Sequence, residues 1–406
     1  MTARSLWRGR ALALLGIVLF AFSLRSAVAS LSPVVDHIEA DYAVPAWVLG
    51  LIGTAPPVCF ALFGLITPVL ERRFGLERLG VVALLVVGAG LGGRGLAAGP
   101  ETLLLFTTVI FAGVGVGNVL LPPLVKTYFP DRIGLMTTVY TTAMALSTFL
   151  PPLFAVPVAD VAGWRVSLGM WAVFAALAMA PWIVLLVRRR ADAVDVDIEA
   201  VPGRVFGRLW RLPMAWAVTV TFLVSSSVAY TTFAWLPTLL VDTAEVSAAQ
   251  AGSLLSLFGV MGLPISLIVP MLVTRYRVIP ALFAVAVAAG LIGVAGLLLA
   301  PSTVPWLWVG LLGVTPLFFP LALVLLGVRT RTHEGAVALS GFVQSIGYAI
   351  AAMVPLAVGI IHELTGSWTA PLVLLAVVIT ASIPAGAIAA RTHTVEDEWE
   401  RRRGRW

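Results

Sequence analysis

Apolar runs long enough to span a bilayer recur twelve times along the chain, separated by short polar stretches. They fall at roughly 11–35, 46–70, 79–98, 102–125, 134–159, 165–187, 212–240, 248–273, 281–300, 305–328, 335–361 and 367–390. A hydrocarbon core is crossed by about 20 predominantly apolar residues in helical form, so each run predicts one transmembrane helix. Gly and Pro are frequent inside the runs, which spanning helices tolerate better than soluble ones. The pattern predicts an all-α membrane protein of twelve helices.

Composition agrees. Sixty per cent of the residues are hydrophobic and 11% are charged, against about a quarter charged in soluble domains. The basic residues test the helix count. With the N-terminus inside, every one of the 26 Lys and Arg residues except Arg25, Arg94 and Arg165 falls in a cytoplasmic segment. That asymmetry is expected of an even number of spans with both ends in the cytoplasm of a bacterial inner membrane. It also accounts for the net charge of +6 without nucleic acid as a partner. The N-terminal basic-then-apolar stretch is too long for a signal-peptide core and reads as a retained first helix. The single cysteine, Cys59, permits neither an internal disulfide nor a cysteine metal cluster.

The longest polar segment, 188–211, opens with Arg188-Arg189-Arg190 and turns acidic, then basic again. It reads as a cytoplasmic linker between an N-terminal six-helix half, 1–187, and a C-terminal half, 212–390, with a tail at 391–406. The halves echo each other at a spacing of about 200 residues. Pro33 and Asp36 match Pro237 and Asp242. Gly50 matches Gly252, Pro68 matches Pro270, Gly134 matches Gly335, and Gly163-Trp164 matches Gly366-Ser367-Trp368. A two-fold internal repeat points to a transporter whose site lies between pseudo-symmetric bundles and opens by alternating access.

Six plus six helices around a cytoplasmic linker resemble the major facilitator superfamily over essentially the whole chain. The loop after the second helix, Pro68-Val-Leu-Glu71-Arg72-Arg73-Phe74-Gly75-Leu76-Glu77-Arg78, is similar to the superfamily signature G-x-x-x-D-R-x-G-R-R. It keeps Arg73 and Gly75. Pro68 stands for the first glycine and Arg72 for the aspartate, with Glu71 adjacent. The resemblance implies a gating loop at Glu71, Arg72, Arg73 and Gly75. The stretches LRSAVASLSPVVDHI, GLERLG, LLPPLVKTYFPDRIGLMTTVYTTAM and GWR resemble the cyanate and 2-nitroimidazole transporter (CynX/NimT) family. That likeness implies a carrier of a small anion or small polar nitro-aromatic; the chain as a whole reads as a monomer that needs no cofactor or metal. Features of drug antiporters are missing: FTTVIFA before Gly113 carries no arginine, and the fifth helix has no glycine between Gly134 and Asp160.

The chemistry-bearing residues are few. Arg25 lies near the middle of the first run, where a cation costs about 2.5–3.5 kcal/mol on insertion scales. All acidic residues and all four histidines fall in loops or near span ends. A fixed positive charge with no central acid favours an anionic substrate as its counter-charge, bound through a guanidinium fork. Uniport, exchange, or symport of a proton carried elsewhere than on a central acid follows. Arg94, in Gly92-Gly93-Arg94-Gly95, is either a second anion-steering charge or a structural one bonded to Asp36, Glu101 or carbonyls. Asn118, Tyr140, Tyr230, Gln344 and Tyr348 are candidate substrate-shell residues; Ser340, Gln344 and Tyr348 share one helical face. Their alternative role is helix-to-helix hydrogen bonding. Trp7, Trp47, Trp164, Trp182, Trp210, Trp306 and Trp368 near span ends read as an interfacial belt. The alternative function is efflux of neutral lipophilic drugs. An enzyme would need a cluster of nucleophile, base or metal ligands, which the sequence does not offer.

Overall fold

The computed structural model describes residues 10–129, 132–189, 207–276 and 278–403. Most of the linker expected at 188–211 lies outside them, as does the side chain of Arg72. Among the described residues there is no strand. Eleven helical stretches are long and apolar enough to cross a membrane, and a shorter apolar helix precedes them. The helices gather into two compact units, one built from Met1–Val48 and Val58–Ile198, the other from Leu49–Pro57 and Glu199–Trp406.

The first unit begins with α1 (Ala11–Ser23), followed by α2 (Val35–Glu39), α3 (Ala46–Phe74, apart from its stretch Leu49–Pro57), α4 (Leu76–Gly95), α5 (Pro100–Tyr128), α6 (Ile133–Ala162), α7 (Trp164–Gly169) and α8 (Ala172–Arg189). Trp182 of α8 is fully buried. It meets Phe20 of α1 edge-on at 6.4 Å and Tyr128 of α5 at 5.8 Å. Between α3 and α4 the chain turns at Gly75, whose φ of 80° suits a residue without Cβ. One residue there ends one helix and starts the next.

The second unit comprises α9 (Pro213–Ala244), α10 (Ala248–Val260), α11 (Gly262–Tyr276), α12 (Ile279–Leu299), α13 (Pro305–Leu312), α14 (Phe318–Val328), α15 (His333–Ala351), α16 (Met353–Thr365), α17 (Thr369–Thr380), α18 (Ser382–Ala389) and α19 (Val395–Arg403). Several spans expected as single helices are thus interrupted: α10 and α11 at Met261, α15 and α16 at Ala352, and α17 and α18 at Ala381. Side chains such as Leu65, Val69 and Leu364 stay exposed, as an exterior facing lipid requires.

Two sequence expectations need correction. The run 11–35 is not one helix, because α1 stops at Ser23 and turns occupy 24–31 before a short 3-10 segment at Ser32–Val34. The Ser23 hydroxyl donates to the Leu19 carbonyl at 2.8 Å, a back-bond that weakens the local ladder. Ser26, Ser30 and Ser32 follow, and Pro33 lacks the N–H needed to continue a helix. The tryptophan belt also splits. Trp47, Trp210 and Trp306 are exposed, whereas Trp164, Trp182 and Trp368 are buried.

Those buried tryptophans refine the repeat. The Trp164 indole donates to Asp41 at 3.0 Å, and the Trp368 indole donates to Asp242 at 2.8 Å. The structural counterpart of Asp242 is therefore Asp41, not Asp36. The repeat extends to Arg73 over the ring of Phe74 at 5.6 Å and Arg275 over that of Tyr276 at 5.5 Å.

The C-terminal helix α19 ties down the second unit. Glu396 is fully buried. Its carboxylate accepts from the backbone N–H groups of Arg331 and Thr332, both at 3.0 Å, and from the Thr332 hydroxyl at 2.9 Å. Thr332 in turn caps α15 by accepting from the Gly335 N–H. Glu398 accepts from the Met214 N–H at 3.0 Å, in the first turn of α9. Helix N-termini carry partial positive charge and exposed N–H groups, so both carboxylates lie where anions are favoured. Arg329 adds two bonds to the Ala389 carbonyl.

Two expectations follow. Glu396→Gln turns one acceptor into a donor facing N–H groups; it should cost about 1–3 kcal/mol, read as a lowered Tm of the purified protein, and an unchanged Tm would contradict the capping role. Asp41 is held below its ordinary value by the Arg165 guanidinium first and the Trp164 indole second. A depressed carboxyl contributes stability above its ordinary value and loses it as pH falls through the lowered one. Wild-type stability should therefore fall more steeply than that of Asp41→Asn below the usual aspartate range, measured by thermal unfolding against pH.

Candidate functional site

The first apolar run of the first unit loses its helix at 24–31. This stretch interrupts the run without helical bonding, apart from local turns such as the Val28 N–H to the Arg25 carbonyl at 3.1 Å. Irregular backbone at membrane depth is tolerated only where protein buries it or where it lines a cavity. Here it is packed: Leu24, Ser26, Ala27, Ala29 and Ser30 are buried. Arg25 is half-buried within it. A break of this kind in a transporter helix is where substrate and coupling-ion sites form.

Three other elements meet this break. From α3, Phe60 presents its ring to Arg25, the guanidinium carbon standing 5.6 Å from the ring centroid. From α5, Gly117 approaches so closely that a Cβ would fall 2.6 Å from Leu24. The neighbouring Asn118 is half-buried and has no hydrogen-bond partner among the described residues. From α4, the Arg94 side chain, 1% exposed, donates from Nη1 to the Ala27 carbonyl at 3.0 Å.

Among the described residues no carboxylate pairs with Arg25, and its partner is the face of Phe60. A guanidinium against an aromatic face keeps its N–H edge directed away from the ring plane's normal and available to oxygen acceptors. Arg94 has no acidic partner among the described residues either, and its bond goes to a carbonyl. Tyr140 lies half-buried on α6 and makes no hydrogen bond with Arg25. Phe60 and the Ala27 carbonyl were not singled out from the sequence. The signal that could have marked the break is the run of four serines before Pro33.

In the second unit, Tyr230 of α9 and Tyr348 of α15 come together with ring centroids 6.4 Å apart. Phe222 packs edge-on to Tyr348 at 4.8 Å. Gln344, one turn before Tyr348, donates to the Ser340 hydroxyl at 2.8 Å. The sequence grouping of Ser340, Gln344 and Tyr348 on one helical face thus forms a bonded polar edge next to an aromatic pair. Unlike α1, the corresponding helix α9 runs unbroken for 32 residues.

At the turn between α3 and α4, Glu71 is buried and Arg73 is exposed. Glu77, also buried, accepts from the Tyr128 hydroxyl at 2.9 Å, which ties this turn to the end of α5. Arg72 lies outside the described side chains.

Three relatives span nearly the whole chain. The chain is 34% identical to the uncharacterized transporter YycB of Bacillus subtilis, over 93% of this chain and 92% of that protein. It is 33% identical to the 2-nitroimidazole transporter of Escherichia coli, over 95% and 96%. It is 26% identical to the cyanate transport protein CynX of the same organism, over 87% and 91%. Among solved structures, the nucleoside transporter NupG superposes with a TM-score of 0.74 at 12% identity, covering 93% of this chain and 99% of that one. At that identity the likeness speaks for the fold alone. The sequence model of the Major Facilitator Superfamily matches residues 13–352. With most of its length matched and full-length relatives above 30% identity, this chain belongs to the Major Facilitator Superfamily of membrane transporters.

Proposed function

We propose that this transporter carries a small anion or compact nitro-aromatic across the bacterial inner membrane, with Arg25 binding the negative pole of the substrate. The observation that carries this reading is Arg25 itself: a cation in an unwound stretch of an apolar run, with no carboxylate partner among the described residues. Its guanidinium offers parallel N–H donors that match the paired oxygens of a carboxylate or nitro group. The Phe60 ring behind it favours a flat, conjugated ligand that can lie along the same aromatic face. The relatives named for 2-nitroimidazole and cyanate fit that chemistry, since both compounds are small, conjugated and rich in negative charge density.

Asn118 would add a neutral donor and acceptor. Tyr140 of the same unit would contribute a further hydroxyl; within the second unit, Tyr230, Gln344 and Tyr348 form a polar and aromatic cluster of their own. Transport would run by alternating access, with both termini in the cytoplasm as the distribution of basic residues favours. With no acid in the middle of the spans, coupling would be uniport, exchange, or symport of a proton held elsewhere. Efflux of neutral lipophilic compounds is the rival reading; it leaves the charge of Arg25 without a use.

Losing a charged hydrogen-bond donor costs about 1.5–3 kcal/mol, or about 10–100-fold in affinity. Arg25→Ala should therefore weaken binding of cyanate or 2-nitroimidazole by that factor at unchanged expression, measured by ligand-induced thermal shift and by uptake into proteoliposomes. Normal transport by Arg25→Ala, or transport restricted to neutral lipophilic compounds, would overturn the proposal.

A further inference from the structure

We infer that Arg94 is a positioning residue for the substrate site: it holds the broken segment 24–31 in shape through the Ala27 carbonyl, and so sets where Arg25 points. The inference rests on the reading of Arg25 as the substrate-binding cation.

Four observations support it. First, a carbonyl freed from helical bonding inside an apolar run needs a donor from elsewhere in the protein. The donor to Ala27 from outside the segment is Arg94 Nη1, at 3.0 Å. The other polar group reaching that carbonyl, the Ser30 hydroxyl, belongs to the segment and lies at 3.5 Å. Second, Ala27 is two residues from Arg25, and the Val28 N–H bonds back to the Arg25 carbonyl. Fixing Ala27 therefore fixes the turn that carries Arg25.

Third, α4 is itself clamped at this level. A Cβ on Gly95 would fall 2.6 Å from the Arg165 carbonyl of α7, and one on Gly93 would fall 2.3 Å from the Phe106 ring of α5. The guanidinium is thus delivered from a helix with little freedom to shift. Fourth, the charge is retained at a site where burial is nearly complete. A neutral amide or hydroxyl could have bonded one carbonyl at far lower desolvation cost. A guanidinium behind the segment does more: its positive charge acts in the same sense as Arg25 and raises the potential for an anion on the segment it holds. The second unit has a buried arginine on a carbonyl elsewhere, Arg329 on Ala389, but among the described residues none meets the first helix of that unit. Its α9 is continuous and bonds its own backbone, and the region matching Arg25 in the repeat offers Ala229 and Tyr230 instead of a cation.

The test uses the purified full-length protein and three variants: Arg94→Met, Arg94→Lys and Arg25→Ala. Amide hydrogen exchange over 24–31 reads the shape of the segment without any ligand. Binding of cyanate and of 2-nitroimidazole reads the site. Arg94→Met should speed exchange over 24–31 while leaving the rest of the first unit protected, and should raise the Kd of the anion by about 10–100-fold, as for a lost charged hydrogen bond. Arg94→Lys keeps the charge and one donor but not the fork, so protection and affinity should fall between those of wild type and Arg94→Met. Arg25→Ala should weaken binding by about 10–100-fold while exchange over 24–31 stays as in wild type.

Wild-type exchange over 24–31 in Arg94→Met overturns the inference, as does faster exchange spread evenly through the first unit, which marks general loss of packing. If Arg94→Met does not fold, Arg94→Lys decides: partial, local loss of protection supports the role, and wild-type exchange and affinity overturn it. Normal anion binding by Arg25→Ala removes the substrate reading instead, and exchange in the Arg94 variants then judges the positioning claim alone.

Discussion

A backbone carbonyl released from its helix inside an apolar span has no water to fall back on. At Ala27 that demand is met by the buried guanidinium of Arg94, and much of the first unit is arranged around the bond. It allows α1 to end at Ser23 rather than continue to Val35. Ending there puts Arg25 in a turn, against Phe60, instead of on the side of a helix where it would have to find its own lipid-facing or core-facing compromise. The close approach of α5 at Gly117 and the clamp on α4 at Gly95 hold the neighbouring helices near enough for the bond to form.

The two units show how an internal repeat can be kept in its frame and abandoned at its site. The Asp41–Trp164 and Asp242–Trp368 pairs recur, as do the arginines stacked at Phe74 and Tyr276. These are contacts at span ends that fix helices to one another. The first helix of each unit does not recur. α1 ends at Ser23 and a cation, Arg25, follows in the broken segment; α9 runs through and carries buried serines, threonines and an aromatic pair with α15. Frame contacts recur in both units, whereas the half-buried cation of the broken segment belongs to the first alone among the described residues.

Polarity also governs the far end of the chain. A tail of alternating acids and arginines reads as a solvated charge run, yet Glu396 and Glu398 are buried against the starts of α15 and α9. Helix starts supply the N–H groups that make burial of a carboxylate tolerable, and two of them lie within reach of one short helix. The helices fastened in this way are those that carry Tyr230, Gln344 and Tyr348.

Much of this was legible in the chain before any fold was known. The number and approximate limits of the spans follow from hydropathy, because bilayer thickness imposes a length on every crossing. The family follows from motifs, and Arg25 stood out because a lone cation in an apolar run is expensive. The break at Ser23 was not legible: periodicity sees an apolar run, and whether its backbone stays helical depends on whether another helix can bond the freed groups. The partner of Arg94 was open for the same reason, since Asp36, Glu101 and a carbonyl were all within plausible reach along the chain. The buried tryptophans and the capping carboxylates were likewise decided by neighbours distant in sequence. The sequence by itself determined what each segment must be shielded from or bonded to; only the tertiary structure decided which groups, brought from other helices, meet those needs, because burial and hydrogen bonding depend on packing that no local pattern encodes.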